Sequence, residues 1–124
     1  MKVLIVDDNG QMRKIIASMI DDLAETIIEC GDGSQALLAY RTHRPDWVLM
    51  DIEMKEINGI AATRQIIDSF PDARVVIVTN YDYAELKAAA SRAGACEYVL
   101  KDSLLKVREI MTGASHRRYS SGAQ

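Results

Sequence analysis

Cysteine, long apolar runs and excess charge are all scarce in this chain. Only two of its 124 residues are cysteine. Cys30 and Cys96 lie far apart and match no metal or redox spacing, so each is expected to be a small buried hydrophobe, with no disulfide. No apolar stretch approaches the roughly 20 residues of a membrane span, and no signal-peptide pattern opens the chain. Strand-like sequence starts at Lys2, which predicts a cytoplasmic protein. The net charge of -3 gives no reason to expect nucleic acid or an anionic membrane as a direct partner. Only His116-Arg117-Arg118 is locally basic, and it reads as solvated linker rather than as a contact for an acidic partner. Internal repeats and low-complexity segments are also missing. With 48% hydrophobic and 27% charged residues, what remains is an ordinary single globular domain, too short for two.

What is present is a regular alternation. Apolar, β-branched runs of about five residues occupy 2–6, 26–30, 46–50, 74–79 and 97–100. The first, third and fourth are continuous rather than alternating, as expected of central strands covered on both faces. Between the runs lie helical patterns. Met12, Ile15, Ile16, Met19, Ile20 and Leu23 form one apolar face; Ile60, Thr63, Ile67 and Phe70 form another, ending before Pro71-Asp72. Arg44-Pro45-Asp46 separates the second helix from the third strand. Leu86, Ala89, Ala90 and Ala93 precede Gly94, placed as the glycine just past a helix end. A last helix is expected from Ser103, capped by that side chain, with Leu104, Val107 and Met111 inward. Five βα units predict an α/β fold: a doubly wound, five-stranded parallel sheet with five helices. Residues 1–113 make the domain, and the polar stretch 114–124 reads as a tail or the start of a linker.

Four of the runs end on residues that can handle a phosphoryl group. Val3 to Val6 leads into Asp7-Asp8, Trp47 to Met50 into Asp51, Val75 to Val78 into Thr79, and Tyr98 to Leu100 into Lys101. In a parallel sheet those ends share one edge, where ligands of open α/β folds bind. Three carboxylates suit Mg²⁺, and crowding them without a cation is unfavourable. A carboxylate can attack phosphorus to form an aspartyl-phosphate, while a hydroxyl and an ammonium stabilise the charge on the phosphoryl oxygens. Singly, an Asp after a strand is more often a cap or turn residue, and a Lys a surface residue. Their joint placement on four strand ends carries the argument.

The segments Val3-Leu4-Ile5-Val6-Asp7-Asp8, Val48-Leu49-Met50-Asp51, Asn58-Gly59, Val78-Thr79 and Tyr98-Val99-Leu100-Lys101 together resemble the receiver domain of a two-component response regulator. The resemblance covers nearly all of residues 1–113 and implies the flavodoxin-like strand order. It further implies that Asp51 accepts a phosphoryl group from a phosphohistidine on a sensor histidine kinase. Mg²⁺ would be held by Asp8, Asp51 and the backbone carbonyl of Glu53, with Asp7 acting through water. Thr79 and Lys101 would bind phosphoryl oxygens, and Tyr98 would reorient with Thr79. Arg13 and Lys14 would lie where a kinase docks. The face made by the fourth helix, fifth strand and fifth helix would meet a partner or a second copy in a homodimer.

The departures are specific. Where the family commonly has Met-Pro-Gly after the acceptor, Met54 is followed here by Lys55-Glu56, so the loop lacks a proline clamp. Asn80 replaces the usual small residue after Thr79, and with Glu53 and Tyr81 it is expected to tune the lifetime of the acyl phosphate. Lys101-Asp102, with Ala62-Thr63-Arg64, resembles receivers joined to helix-turn-helix domains, so DNA would be reached only through an output domain outside these residues. Two other classes compete. A small Mg²⁺-dependent phosphatase would also use an Asp nucleophile, but the haloacid-dehalogenase-like hydrolases that Asp51-Ile52-Glu53 superficially resembles place it on the first strand. A receiver-like module that only binds proteins would need Asn80 or the loop to block the site.

Overall fold

The computed structural model describes residues 1–113. The tail 114–124, with its basic run, lies outside the described residues. Five strands, β1 (Lys2–Val6), β2 (Thr26–Cys30), β3 (Trp47–Met50), β4 (Val75–Thr79) and β5 (Glu97–Leu100), pair in parallel in the order β2-β1-β3-β4-β5. The continuous apolar runs are the three central strands, as their composition predicts. Five helices follow the strands: α1 (Gly10–Ile20), α2 (Ala36–His43), α3 (Gly59–Ser69), α4 (Ala84–Ala93) and α5 (Leu105–Thr112). This is the flavodoxin-like arrangement.

Successive strand residues point to opposite faces, which divides the core in two. Leu4, Val6, Val48, Met50, Val75 and Ile77 pack under α2, α3 and α4. Val3, Ile5, Trp47, Leu49, Val76, Val78 and Val99 pack under α1 and α5. Strand order reverses between β1 and β3, and the crevice beyond that point opens at the strands' carboxyl ends. Among the described residues no helix is long and apolar enough to cross a membrane.

Several local expectations need correction. Ser103 does not cap the last helix: Lys101–Ser103 forms a one-turn 3-10 helix, and α5 starts at Leu105 without a side-chain cap. The tight turn after β5 takes up the residues that would have opened the helix, and the Ser103 hydroxyl donates to Asp102. In α3 the fully buried positions are Gly59, Ala62, Thr63 and Ile66, while Ile60, Ile67 and Phe70 pack only at the margin. The predicted side is thus the core side, with Thr63 fully buried and the centre of the face shifted toward Ala62 and Ile66. Gly59 lets the helix start close to β3, since a Cβ there would sit 1.7 Å from the Asp51 carbonyl oxygen. Ile15 is 48% exposed, and α1 ends before Leu23. Cys30 is buried as expected, but Cys96 is exposed, because it stands in the turn before edge strand β5; both thiols are free.

Candidate functional site

Four strand ends deliver the site. Asp7 and Asp8 follow β1, Asp51 follows β3, Thr79 ends β4, and Lys101 follows β5. They line one cavity of about 180 Å³, together with Asn9, Glu53, Asn80 and Tyr81. Carboxylate oxygens of Asp7, Asp8 and Asp51 lie within 4.8 Å of one another. Asp7 and Asp51 are buried at 1% and 7% exposure, whereas Asp8 is open to solvent. Each buried carboxylate is aimed by its strand, because Asp51 N donates to Val6 O and Asp7 N to Cys30 O, carrying the sheet ladder past the strand ends.

The Lys101 ammonium reaches Asp7 at 3.0 Å and Asp51 at 3.4 Å. Three carboxylates against one ammonium leave two negative charges in excess. Burial and the neighbouring Asp7 charge push the Asp51 carboxyl up to about 6, against the pull of Lys101. Burial works against the Lys101 charge, but the Asp7 and Asp51 carboxylates paired with it outweigh that and raise its pKa. Asp7 Oδ1 accepts the Asn9 N–H at 2.9 Å, and Asn9 in turn caps α1. Asp7 Oδ2 is buried without an aligned hydrogen-bond donor, so the Lys101 charge is its compensation. A buried oxygen compensated by one lysine alone, two excess charges and hard oxygen donors all fit a divalent cation, and the triad is consistent with Mg²⁺.

A chain of polar contacts leaves the site toward β5. Thr79 is fully buried, and its Oγ1 accepts the Tyr81 N–H at 3.3 Å. The Tyr98 hydroxyl donates to the Tyr81 carbonyl at 2.6 Å, and the Tyr81 hydroxyl donates to the Glu53 carboxylate. Glu53 and Tyr81 therefore join the loop after β3 to the loop after β4 beside the cavity, with exposed Asn80 next to them. Arg13 and Lys14 both bind Glu29 on β2, Lys14 from an exposed position, and Arg13 also donates to the Asp7 carbonyl at 2.7 Å.

The loop after β3 departs from the expectation of a weakly held segment. Asp32, after β2, accepts backbone N–H groups from Glu56 at 3.0 Å and Ile57 at 3.2 Å. The hydrogen bond from Ser34 N, and after it those from Glu56 N and Ile57 N, hold its carboxyl down to about 2. Sequence reading missed Asp32. Asp32-Gly33 signals a turn, but nothing local tells what its carboxylate reaches.

With this geometry, the comparison with known families is decisive: the model for the response regulator receiver domain matches residues 3–112. The chain belongs to that family. The receiver is 37% identical over 120 residues to the uncharacterized transcriptional regulatory protein YhcZ of Bacillus subtilis, covering 91% of this chain and 56% of that protein. It is 34% identical over 127 residues to the response regulator GacA of Pseudomonas aeruginosa, covering 97% and 58%. The chain thus spans little more than half the length of these curated relatives. A LuxR-family two-component response regulator from Aurantimonas sp. SI85-9A1 superposes with a TM-score of 0.80 at 29% identity, covering 90% of this chain and 85% of that one.

Proposed function

We propose that this receiver is a phosphorylation-controlled switch with Asp51 as the acceptor. The observation that carries the reading is the convergence of Asp7, Asp8, Asp51, Thr79 and Lys101 on one small polar cavity. An Asp51 carboxylate oxygen attacks the phosphorus of a kinase phosphohistidine, the N–P bond breaks, and the imidazole keeps its electron pair and takes up a proton. Asp8, Asp51 and the Glu53 carbonyl would hold Mg²⁺, with Asp7 acting through water, and the ion would neutralise charge on the phosphoryl oxygens. Lys101 and Thr79 bind those oxygens. As Thr79 Oγ1 turns to the phosphoryl group, its contact with the Tyr81 N–H weakens, and the change passes through the Tyr81 carbonyl to Tyr98.

Residues 1–113 act as the receiver unit, and 114–124 lead toward a DNA-binding output domain. The lengths and names of the relatives support that arrangement. A sensor histidine kinase acts upstream, and the α4–β5–α5 face meets a partner or a second copy. Glu53, Asn80 and Tyr81 line the approach of the hydrolysing water and set the lifetime of the acyl phosphate.

Intact mass after incubation with acetyl phosphate and Mg²⁺ tests this reading. One added phosphoryl group is expected, absent in Asp51→Ala and absent when Mg²⁺ is chelated. An adduct that persists in Asp51→Ala refutes the assignment. In the decay phase, an Asn80→Ala chain that loses phosphate at the parent rate removes Asn80 from the lifetime set.

A further inference from the structure

The loop from Ile52 to Asn58 carries the Glu53 carbonyl, yet it has none of the proline that would stiffen it. Its base is closed by the Gly59 N–H donating to the Ile52 carbonyl at 2.8 Å, and Ile52, Met54 and Ile57 rest on the core. Those contacts hold side chains and the loop's ends. The peptide groups in between are held from another element. Asp32 stands 24 and 25 positions away from the two amides it binds, with Oδ1 taking Glu56 N and Oδ2 taking both Ile57 N and Ser34 N. Next to it, a Cβ on Gly33 would lie 2.3 Å from the Ile57 carbonyl oxygen, so the two loops touch backbone to backbone. The carboxylate fixes two consecutive peptide planes, and the glycine permits the approach.

We infer that Asp32 is a positioning residue for the metal and phosphoryl site, doing through two backbone hydrogen bonds what a proline at position 55 would do through restricted torsions. The inference rests on the reading that Asp51 and the Glu53 carbonyl hold Mg²⁺. Ordering backbone residues costs conformational entropy, so a loop left free must be ordered again whenever the ion binds. With Asp32 in place that ordering belongs to folding, and the carbonyl waits in position.

The test uses the whole chain and Mg²⁺ alone, followed through the amide NMR shifts of Asp8, Asp51 and Glu53. Asp32→Ala is expected to weaken Mg²⁺ affinity about tenfold, the low end for lost outer-shell support. It should also speed hydrogen exchange at the Glu56 and Ile57 amides. Lys55→Pro added to Asp32→Ala is expected to recover about two- to fivefold in affinity, while changing the parent by less than twofold. Lys55 has a negative φ, as proline requires. If Asp32→Ala does not fold, Asp32→Asn, which keeps a neutral acceptor, is expected to give an intermediate loss. Faster exchange at the two amides with Mg²⁺ affinity within twofold of the parent would make Asp32 a purely structural clamp and overturn the inference. So would a proline that raises affinity equally in both backgrounds. A parent chain whose amides show no saturable Mg²⁺ response fails at the metal reading itself, a result distinct from either.

Discussion

The two ends of the sheet treat their charges in opposite ways. At the amino ends, charged groups find partners within the fold. Asp46 accepts the Lys2 N–H at 2.8 Å, the Met1 ammonium meets Glu25, and Arg74 lies 4.2 Å over the Trp47 ring. At the carboxyl ends, Asp7, Asp8 and Asp51 crowd within 4.8 Å around one lysine, and one buried oxygen has no aligned donor. A sheet made only for stability would be expected to resemble its amino end throughout. The carboxyl end retains excess negative charge instead, an arrangement consistent with a site for a divalent cation.

The largest effect is expected where the two requirements meet, at Gly59. Any side chain there places a Cβ 1.7 Å from the Asp51 carbonyl oxygen and 2.9 Å from Met50 Cγ. Gly59→Ala must push α3 away from β3 or displace Asp51, at about 3 kcal/mol or more for a clash against backbone. Urea unfolding and the acetyl phosphate reaction should both suffer. Loss of stability with a fully active Asp51 would show that α3, and not the acceptor, gives way.

A smaller effect separates the two ends by sign. The Asp51 carboxyl is raised to about 6 from 3.8, so the folded chain holds this proton more tightly than the unfolded one. Its contribution is therefore most favourable below the unfolded value and is lost as pH rises through about 4 to 6. In chelator, Asp51→Asn should stabilise the receiver at pH 7 by about 1–2 kcal/mol, discounted for partial solvation, and by almost nothing at pH 4. Guanidinium titrations at the two pH values measure this. An Asn variant less stable than the parent at pH 7 would mean that the Lys101 pairing outweighs burial.

Most of this contrast was legible in the residues, for a physical reason. Central parallel strands need continuous apolar runs, and helical crossovers force all strand ends of one kind onto one edge, so reading β1, β3 and β4 already assembled Asp7, Asp51 and Thr79. Less legible was whatever depends on rotation or on distant backbone. Ile66 and Ile67 are equally apolar, and the packing of α3 on the sheet, close at Gly59, buries the first fully and the second in part. Ser103 has the chemistry of a cap, but the turn after Lys101 takes it out of position. Asp32 has the composition of a turn residue, and its partners 24 and 25 positions on are peptide N–H groups that every sequence has.

The smallest effect tests whether the amino end is as independent of the site as its completed pairings imply. Arg74 lies flat over Trp47, and its Nε donates to the Asp46 carbonyl at 3.1 Å. Arg74→Met keeps the apolar stem on the indole and removes the cation and its donor. An exposed cation–π contact contributes about 0.5–1 kcal/mol, so the unfolding free energy read from urea titration should fall by that much, with rate and lifetime of the Asp51 adduct unchanged. Trp47 opens β3 and Asp51 follows its last residue, with the three buried residues Val48, Leu49 and Met50 between them. If Arg74→Met altered the phosphoryl lifetime, strain at one end of β3 would be reaching the other. The strand would then transmit rather than insulate, and the two ends of the sheet could no longer be treated as separate regions.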